Sequence, residues 1–193
     1  MTVQFTPDLR EQYQMLWDSC EPRGSLDTAR AIADKLQANA ARYAAVTAVV
    51  NPAMPWHFVG LVHLLECSQR FDSHLHNGDP LTARTTHVPM GRPVDGVPPF
   101  QWEHSAIDAL SFQGLRAPEI DWTLPGELYQ LERYNGFGYR KHGVLTPYLW
   151  SGTNHYTSGK FVSDGLFDKD AVSKQIGAAV ILRCLVIPEK QST

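Results

Sequence analysis

The sequence predicts a mainly α-helical fold with one small β ribbon. Three observations lead there. Apolar residues recur at helical spacing along several segments. Asn77-Gly78 is a strong hairpin signal in a stretch with a different rhythm. Helix-breaking Pro and Gly cluster between the periodic segments, which separates the helices cleanly.

The elements follow in order. Residues 7–20 form a short helix opened by Pro7-Asp8, carrying Leu9, Tyr13, Leu16 and Trp17, and broken at Cys20-Glu21-Pro22-Arg23-Gly24. Ser25 or Asp27 caps a second helix running to about Val50, with Ala29, Ile32, Ala33, Leu36, Ala40 and Tyr43 near helical spacing. Asn51-Pro52 ends it or kinks it. Pro55 suits the first turn of a third helix. Residues 72–100 hold the hairpin signal, a short strand or irregular ribbon over 81–88, and a loop with Pro89, Gly91, Pro93, Gly96, Pro98 and Pro99. A loop that long and stiff usually forms a binding surface. Helices follow at 102–110, with Trp102, Ala106, Ile107 and Leu110 inward, and from Thr123-Leu124-Pro125 to a stop at Asn135-Gly136. Residues 136–167 are rich in Gly and aromatics. Asp168 or Asp170 caps a last helix through about Leu185, whose Val172, Ile176, Ala179, Val180 and Leu182 predict a central place.

The 193 residues fit one domain, with N-terminal helices over 1–50 and a catalytic core over 55–186. Hydrophobic residues at 43% and charged residues at 19% are ordinary for a globular chain. A net charge of −3 gives no electrostatic case for nucleic acid. No apolar run reaches the roughly 18 residues a spanning helix needs, so membrane insertion is not expected. The start lacks a basic region followed by an apolar run, as in a secretory signal. Cys20, Cys67 and Cys184 show no CxxC or zinc spacing and read as free thiols in a reducing compartment. The expectation is a monomer made in the cytoplasm, acting elsewhere after release or export, with no cofactor.

Glu66 is the most informative residue. It ends a stretch in which Trp56, Phe58, Val59, Leu61, Val62, Leu64 and Leu65 cover almost the whole helix circumference, the mark of a buried helix. It shares a direction with Val59 and Val62. A carboxylate there loses hydration, which favours its protonated form. A protonated carboxyl in an apolar wall suits a general acid. The plainer alternative is an ion pair with Arg70 at i+4. Cleaving a glycosidic bond requires such an acid and often a second carboxylate. Asp79, across the Asn77-Gly78 turn, is the first candidate for that second group, with Asp72 and Glu103 behind it. Thr82, Thr85 or Thr86 could orient a water. Asp79 is equally a turn residue, since Asp before Pro is common in turns.

These residues resemble a known family. Glu66-Cys67-Ser68-Gln69-Arg70-Phe71 resembles the Glu-Ser-x-x-Phe segment of goose-type lysozymes and soluble lytic transglycosylases, with one extra residue. Arg133-Tyr134-Asn135-Gly136-Phe137-Gly138 resembles their Ala-Tyr-Asn-Ala-Gly motif. Closer still, residues 63–185 resemble bacterial and phage "lysozyme family" proteins of the lysozyme-like superfamily. The matching segments are Leu75-His76-Asn77-Gly78-Asp79-Pro80-Leu81, Tyr134-Asn135-Gly136-Phe137-Gly138-Tyr139-Arg140 and Ser151-Gly152-Thr153-Asn154-His155-Tyr156. The resemblance implies a lysozyme-like α+β fold and a muramidase acting on the β-1,4 bonds of peptidoglycan strands, with chitin-like oligomers as a second substrate. It implies Glu66 as general acid, and Tyr134 and Asn135 at the floor of the sugar groove. A phage lysis enzyme, or endolysin, is one role that fits. Cys67 stands where Ser is usual, and Arg133 replaces a small residue. The Gly-Leu-Met-Gln segment of transglycosylases has no counterpart, which favours hydrolysis over lytic transglycosylation.

The residues support a sugar site in their own right. Sugar rings stack on aromatic faces beside short polar side chains. Tyr139, Tyr148, Trp150, Tyr156, Asn154 and His155 supply both, with about half of the aromatics expected in the core. Arg84 is a candidate grip for a substrate carboxylate, against the plainer role of a solvated charge. Two rivals remain: a non-catalytic peptidoglycan-binding module, and a zinc amidase using His74, His76, His63 and His87. The sequence carries no HExxH signature for the latter.

Overall fold

The computed structural model describes residues 3–24, 26–163 and 165–186. Ser25, one of the two residues expected to cap the second helix, lies outside them. The described residues are mainly helical with one small antiparallel sheet, as the sequence predicts. They fall into two compact units, one of residues 1–35 and 123–193, the other of residues 36–122.

The 36–122 unit is built on α3 (Ala40–Val50), α4 (Trp56–Cys67) and α5 (Trp102–Phe112). Helix α3 packs on both α4 and α5. The expected long second helix is two: α2 (Leu26–Ala38) and α3, parted at Asn39. Asn39 leaves helical geometry at φ −105° and ψ 9°, and its carbonyl accepts from Arg42 and Tyr43. Asn forms helix poorly because its amide competes for backbone groups. The break lets α3 lie close on α4. A Cβ at Gly60 would sit 3.2 Å from both Leu36 and Tyr43, so the helices meet where one lacks a side chain. Helix α4 is buried nearly all round: Phe58, Val59, Leu61, Val62 and His63 are each 0% exposed. Burying one such aliphatic side chain contributes about 1.5–3 kcal/mol.

The region after α4 is not the ribbon expected there. Residues 73–80 form a tight turn closed by a single bridge, Ser73 to Pro80, and the chain to Phe100 is irregular. Its prolines cannot donate to a ladder, and its glycines weaken a strand. The ribbon lies instead in the other unit, where β1 (Lys160–Ser163) pairs with β2 (Leu166–Asp168).

The other unit contains α1 (Pro7–Asp18), α6 (Leu124–Asn135), a 3-10 helix (Phe137–His142), α7 (Pro147–Trp150), the ribbon and α8 (Ala178–Val186). Helix α1 packs on α6, α6 on α7, and α7 on α8. Helix α8 starts well after the expected Asp168 or Asp170. Asp168 does cap, but it caps a turn: its Oδ1 accepts from Asp170 N at 2.9 Å and Ala171 N at 3.2 Å. The following stretch is pinned in non-helical form. Gly159 N donates to Ala171 O, Ser173 N to the Tyr156 hydroxyl, and Gly177 N to Ser151 O. A Cβ at Gly177 would lie 2.3 Å from Leu149 O, so only glycine fits there. Once started, α8 is as central as expected: Ala178, Ala179, Ile181 and Leu182 are 0% exposed.

Candidate active site at the end of α4

Glu66 is the penultimate residue of α4 and is half-buried. The helix ends on two consecutive left-handed residues without a glycine, Ser68 (φ 52°) and Gln69 (φ 59°). Their N–H groups return to Leu64 O and His63 O, which satisfies the last helical carbonyls. His63 braces the same end. Its Nε2 lies 3.0 Å from Arg70 O and its Nδ1 3.1 Å from the Tyr43 hydroxyl. A carbonyl only accepts, so Nε2 carries the proton and Nδ1 receives the Tyr43 O–H. Arg70 Nε donates to Cys67 O at 3.4 Å, and Arg70 Nη2 lies 3.9 Å from the Cβ position of Gly78.

The 73–80 turn closes on this helix end. The Cys67 thiol donates to His74 O at 3.2 Å, and the Cβ position of Gly78 is 3.7 Å from Glu66 O. Burial, reinforced by the negative charge of Glu66, pushes the Cys67 thiol up to about 12. Cys67 therefore stays a neutral donor, and Glu66 carries its carboxyl close to it. Within the turn, His74 N donates to Asp79 O and Gly78 N to His74 O. Asn77 accepts from Asp79 N at 3.0 Å and donates through Nδ2 to the carbonyls of His87 (3.1 Å) and Val88 (3.5 Å).

Asp79 is 8% exposed, and its oxygens are filled by the next loop. Oδ2 accepts from Thr86 N (2.7 Å), His87 N (3.0 Å) and Thr86 Oγ1 (3.3 Å); Oδ1 accepts from His87 Nδ1 (2.6 Å). Burial pushes this carboxyl up, but the hydrogen bonds from the His87 and Thr86 backbone and the His87 ring outweigh it and hold it well below the usual carboxylate range. Thr85 is 2% exposed and is the lock of that loop: its hydroxyl donates to Pro89 O at 2.5 Å and accepts from Arg92 N at 2.8 Å. Arg84 donates to Gly96 O at 2.8 Å and lies 5.5 Å from the Phe100 ring centre. Thr82 is exposed.

Glu103, Asp72, His74 and His76 have partners of their own. Glu103 Oε1 accepts from Arg42 Nε at 2.6 Å; burial raises its carboxyl, and Arg42 more than reverses this. Asp72 is exposed and accepts from Ser73. His74 spends both ring nitrogens, on Ala83 O and the Ser105 hydroxyl. Asp108 accepts from His76 Nε2 and from Arg92 Nη2, each at 2.8 Å, tying the loop to α5. Burial pushes His76 down, and Asp108 only partly offsets it. No group of three His, Cys, Asp or Glu side chains able to hold a metal ion occurs among the described residues.

The other expected site residues belong to the unit of residues 1–35 and 123–193. Tyr134 is half-buried and Asn135 exposed at the end of α6, where Asn135 Nδ2 donates to Thr146 Oγ1 at 3.1 Å. Tyr139 is half-buried; its hydroxyl accepts from Phe161 N, and its ring meets Phe161 edge-on at 5.0 Å. Trp150 is 0% exposed, so it presents no face for a sugar to stack on. Tyr148 and Tyr156 are buried too. This unit also holds a network the sequence reading missed. Glu132, 2% exposed, accepts from Arg140 Nε (2.7 Å), Arg140 Nη2 (2.8 Å) and the Tyr13 hydroxyl (2.5 Å). Burial, with Glu132 adding to it, pushes the Tyr13 phenol up.

What gathers at the end of α4 is thus a half-buried carboxyl on an apolar helix, a rigid turn, and an exposed imidazole anchored to a buried carboxylate. Such a set can hold and move protons. No helix among the described residues is long and apolar enough to cross a membrane. Comparison of the chain with protein-family models, curated proteins and solved structures finds no match.

Proposed function

We propose that the chain is a muramidase that cleaves the β-1,4 bond between N-acetylmuramic acid and N-acetylglucosamine in peptidoglycan strands, with Glu66 as general acid. The observation that carries this reading is the setting of Glu66. It stands on the last turn of a helix whose other side chains are mostly apolar and largely buried, yet Glu66 itself is only half-buried. An acid that must protonate a sugar oxygen needs both features: a low-dielectric wall to favour its neutral form, and an open side for the substrate. The ordered resemblance of residues 63–185 to lysozyme-family proteins points the same way.

In this reading Glu66 gives its proton to the bridging oxygen as the glycosidic bond breaks. The positive charge that develops at the sugar is met by water. The test is release of soluble fragments from purified sacculi. Glu66→Gln keeps the shape of the side chain but has no proton to give, and should lower release about 10²–10⁴-fold. Normal release by that variant would sink the proposal. Mass spectrometry separates two forms of the reaction, since a hydrolase leaves reducing ends and a lytic transglycosylase leaves anhydro ends.

A further inference from the structure

We infer that His87, oriented by Asp79, is the base that activates the attacking water. The inference rests on the glycosidase reading and names the second group that reading needs.

Asp79 is badly placed to act on water itself. It is nine-tenths buried, and both its oxygens are taken by donors from Thr86 and His87. His87 is the opposite case. Its side chain is 79% exposed, while its Nδ1 is fixed 2.6 Å from Asp79 Oδ1. A carboxylate only accepts hydrogen bonds, so Nδ1 carries the ring proton. In the neutral ring, Nε2 then holds the lone pair, on the edge away from Asp79. A buried carboxylate that fixes the tautomer and aims the free nitrogen outward is how an imidazole is prepared as a base.

The same turn touches the Glu66 backbone on one side and holds His87 on the other. Gly78 lies against the Glu66 carbonyl, its neighbour Asp79 holds the His87 ring, and its other neighbour Asn77 holds the His87 carbonyl. Glu66 and His87 therefore border one rigid element, 77–79.

The step balances. Glu66 donates its proton to the leaving oxygen as the bond from the anomeric carbon to that oxygen breaks. A water oxygen bonds to the anomeric carbon, and His87 Nε2 takes the proton that water releases. Glu66 ends as a carboxylate and His87 as an imidazolium, and solvent returns both to their starting states.

The experiment is chemical rescue on purified sacculi. His87→Ala should stay folded, melting below the parent for its lost bond to Asp79, and lose about 10²-fold in kcat with little change in KM. Added imidazole should restore activity in proportion to its concentration, because the free base fills the gap. His87→Gln keeps an N–H for Asp79 but has no basic lone pair, and should be as inactive as the alanine variant. Full activity of either variant, or a folded His87→Ala that imidazole does not recover, overturns the inference. The two readings fail separately. If the parent frees no sugars or Glu66→Gln stays active, the glycosidase reading falls. If Glu66 matters and His87 does not, only the present inference falls.

Discussion

Two helix ends in this molecule each carry an acidic residue followed by an irregular, glycine-containing stretch, and they use it in opposite ways. Near the end of α6, Glu132 is closed off: 2% exposed, gripped by Nε and Nη2 of Arg140 and by Tyr13. At the end of α4, Glu66 keeps partial access to solvent, and the buried acid nearby, Asp79, spends itself on aiming His87 outward. The difference teaches where to look for chemistry. A carboxylate met by a planar guanidinium holds a fold together. A carboxylate whose effect is to point another group at solvent is a better functional candidate.

The sharpest way to break this comparison is Glu132→Ala. It removes the carboxylate that accepts from Arg140 and Tyr13, leaving Arg140 only the Tyr13 hydroxyl as acceptor and the Tyr13 O–H without its own. Removing one partner of a buried ion pair costs about 3–5 kcal/mol. For a chain of this size each kcal/mol lowers the melting temperature by about 2–4 °C. Glu66→Gln, in contrast, should melt close to the parent while losing activity. Equal melting losses for the two variants would show that both acids are structural.

Asp79→Asn comes next. Asn cannot accept from the His87 ring and from the backbone as a charged oxygen does. Loss of a charge-assisted bond predicts on the order of 2 kcal/mol at neutral pH. The pH dependence has a definite sign. Asp79 is held below the usual carboxylate range in the folded state, so its contribution is fully present above the unfolded value of about 3.9 and drains away as pH falls through and below it. Denaturation of parent and variant across that range should therefore show a stability gap that narrows with acid. A gap that stays constant would mean the ionised carboxylate is not what the loop needs.

How much of this was legible beforehand depends on whether the signal was local. Periodicity and breakers located α1, α4, α5 and α6, because each carries its apolar residues at helical spacing within one local run. The apolar setting of Glu66 was visible for the same reason. Asn39 was not read as a break, because one poor helix former among alanines leaves the pattern intact. The late start of α8 was hidden because Asp168 looks identical whether it caps a helix or a turn. What decided it was the approach of Gly177 to Leu149, a tertiary contact. Trp150 looked like a sugar platform and is core, since an aromatic residue in a Gly-rich run carries no mark of which side it faces. His87 was read only as a possible metal ligand. Its tie to Asp79 crosses an aperiodic loop that no spacing rule describes.

The smallest effect tests the helix end itself. Ser68 is exposed and held at φ 52°, where a side chain is strained and glycine is not. Ser68→Gly should relieve that strain and stabilise the fold by up to about 1 kcal/mol, somewhat offset by the greater freedom glycine gives the unfolded chain. The left-handed pair exists to turn the chain back so that the 73–80 turn can close over Cys67. If the strain serves only that path, Ser68→Gly raises the melting temperature slightly and leaves fragment release unchanged. If the serine itself helps fix the Glu66 carboxyl, release falls although stability rises. That split would place Ser68 with the open helix end rather than the closed one.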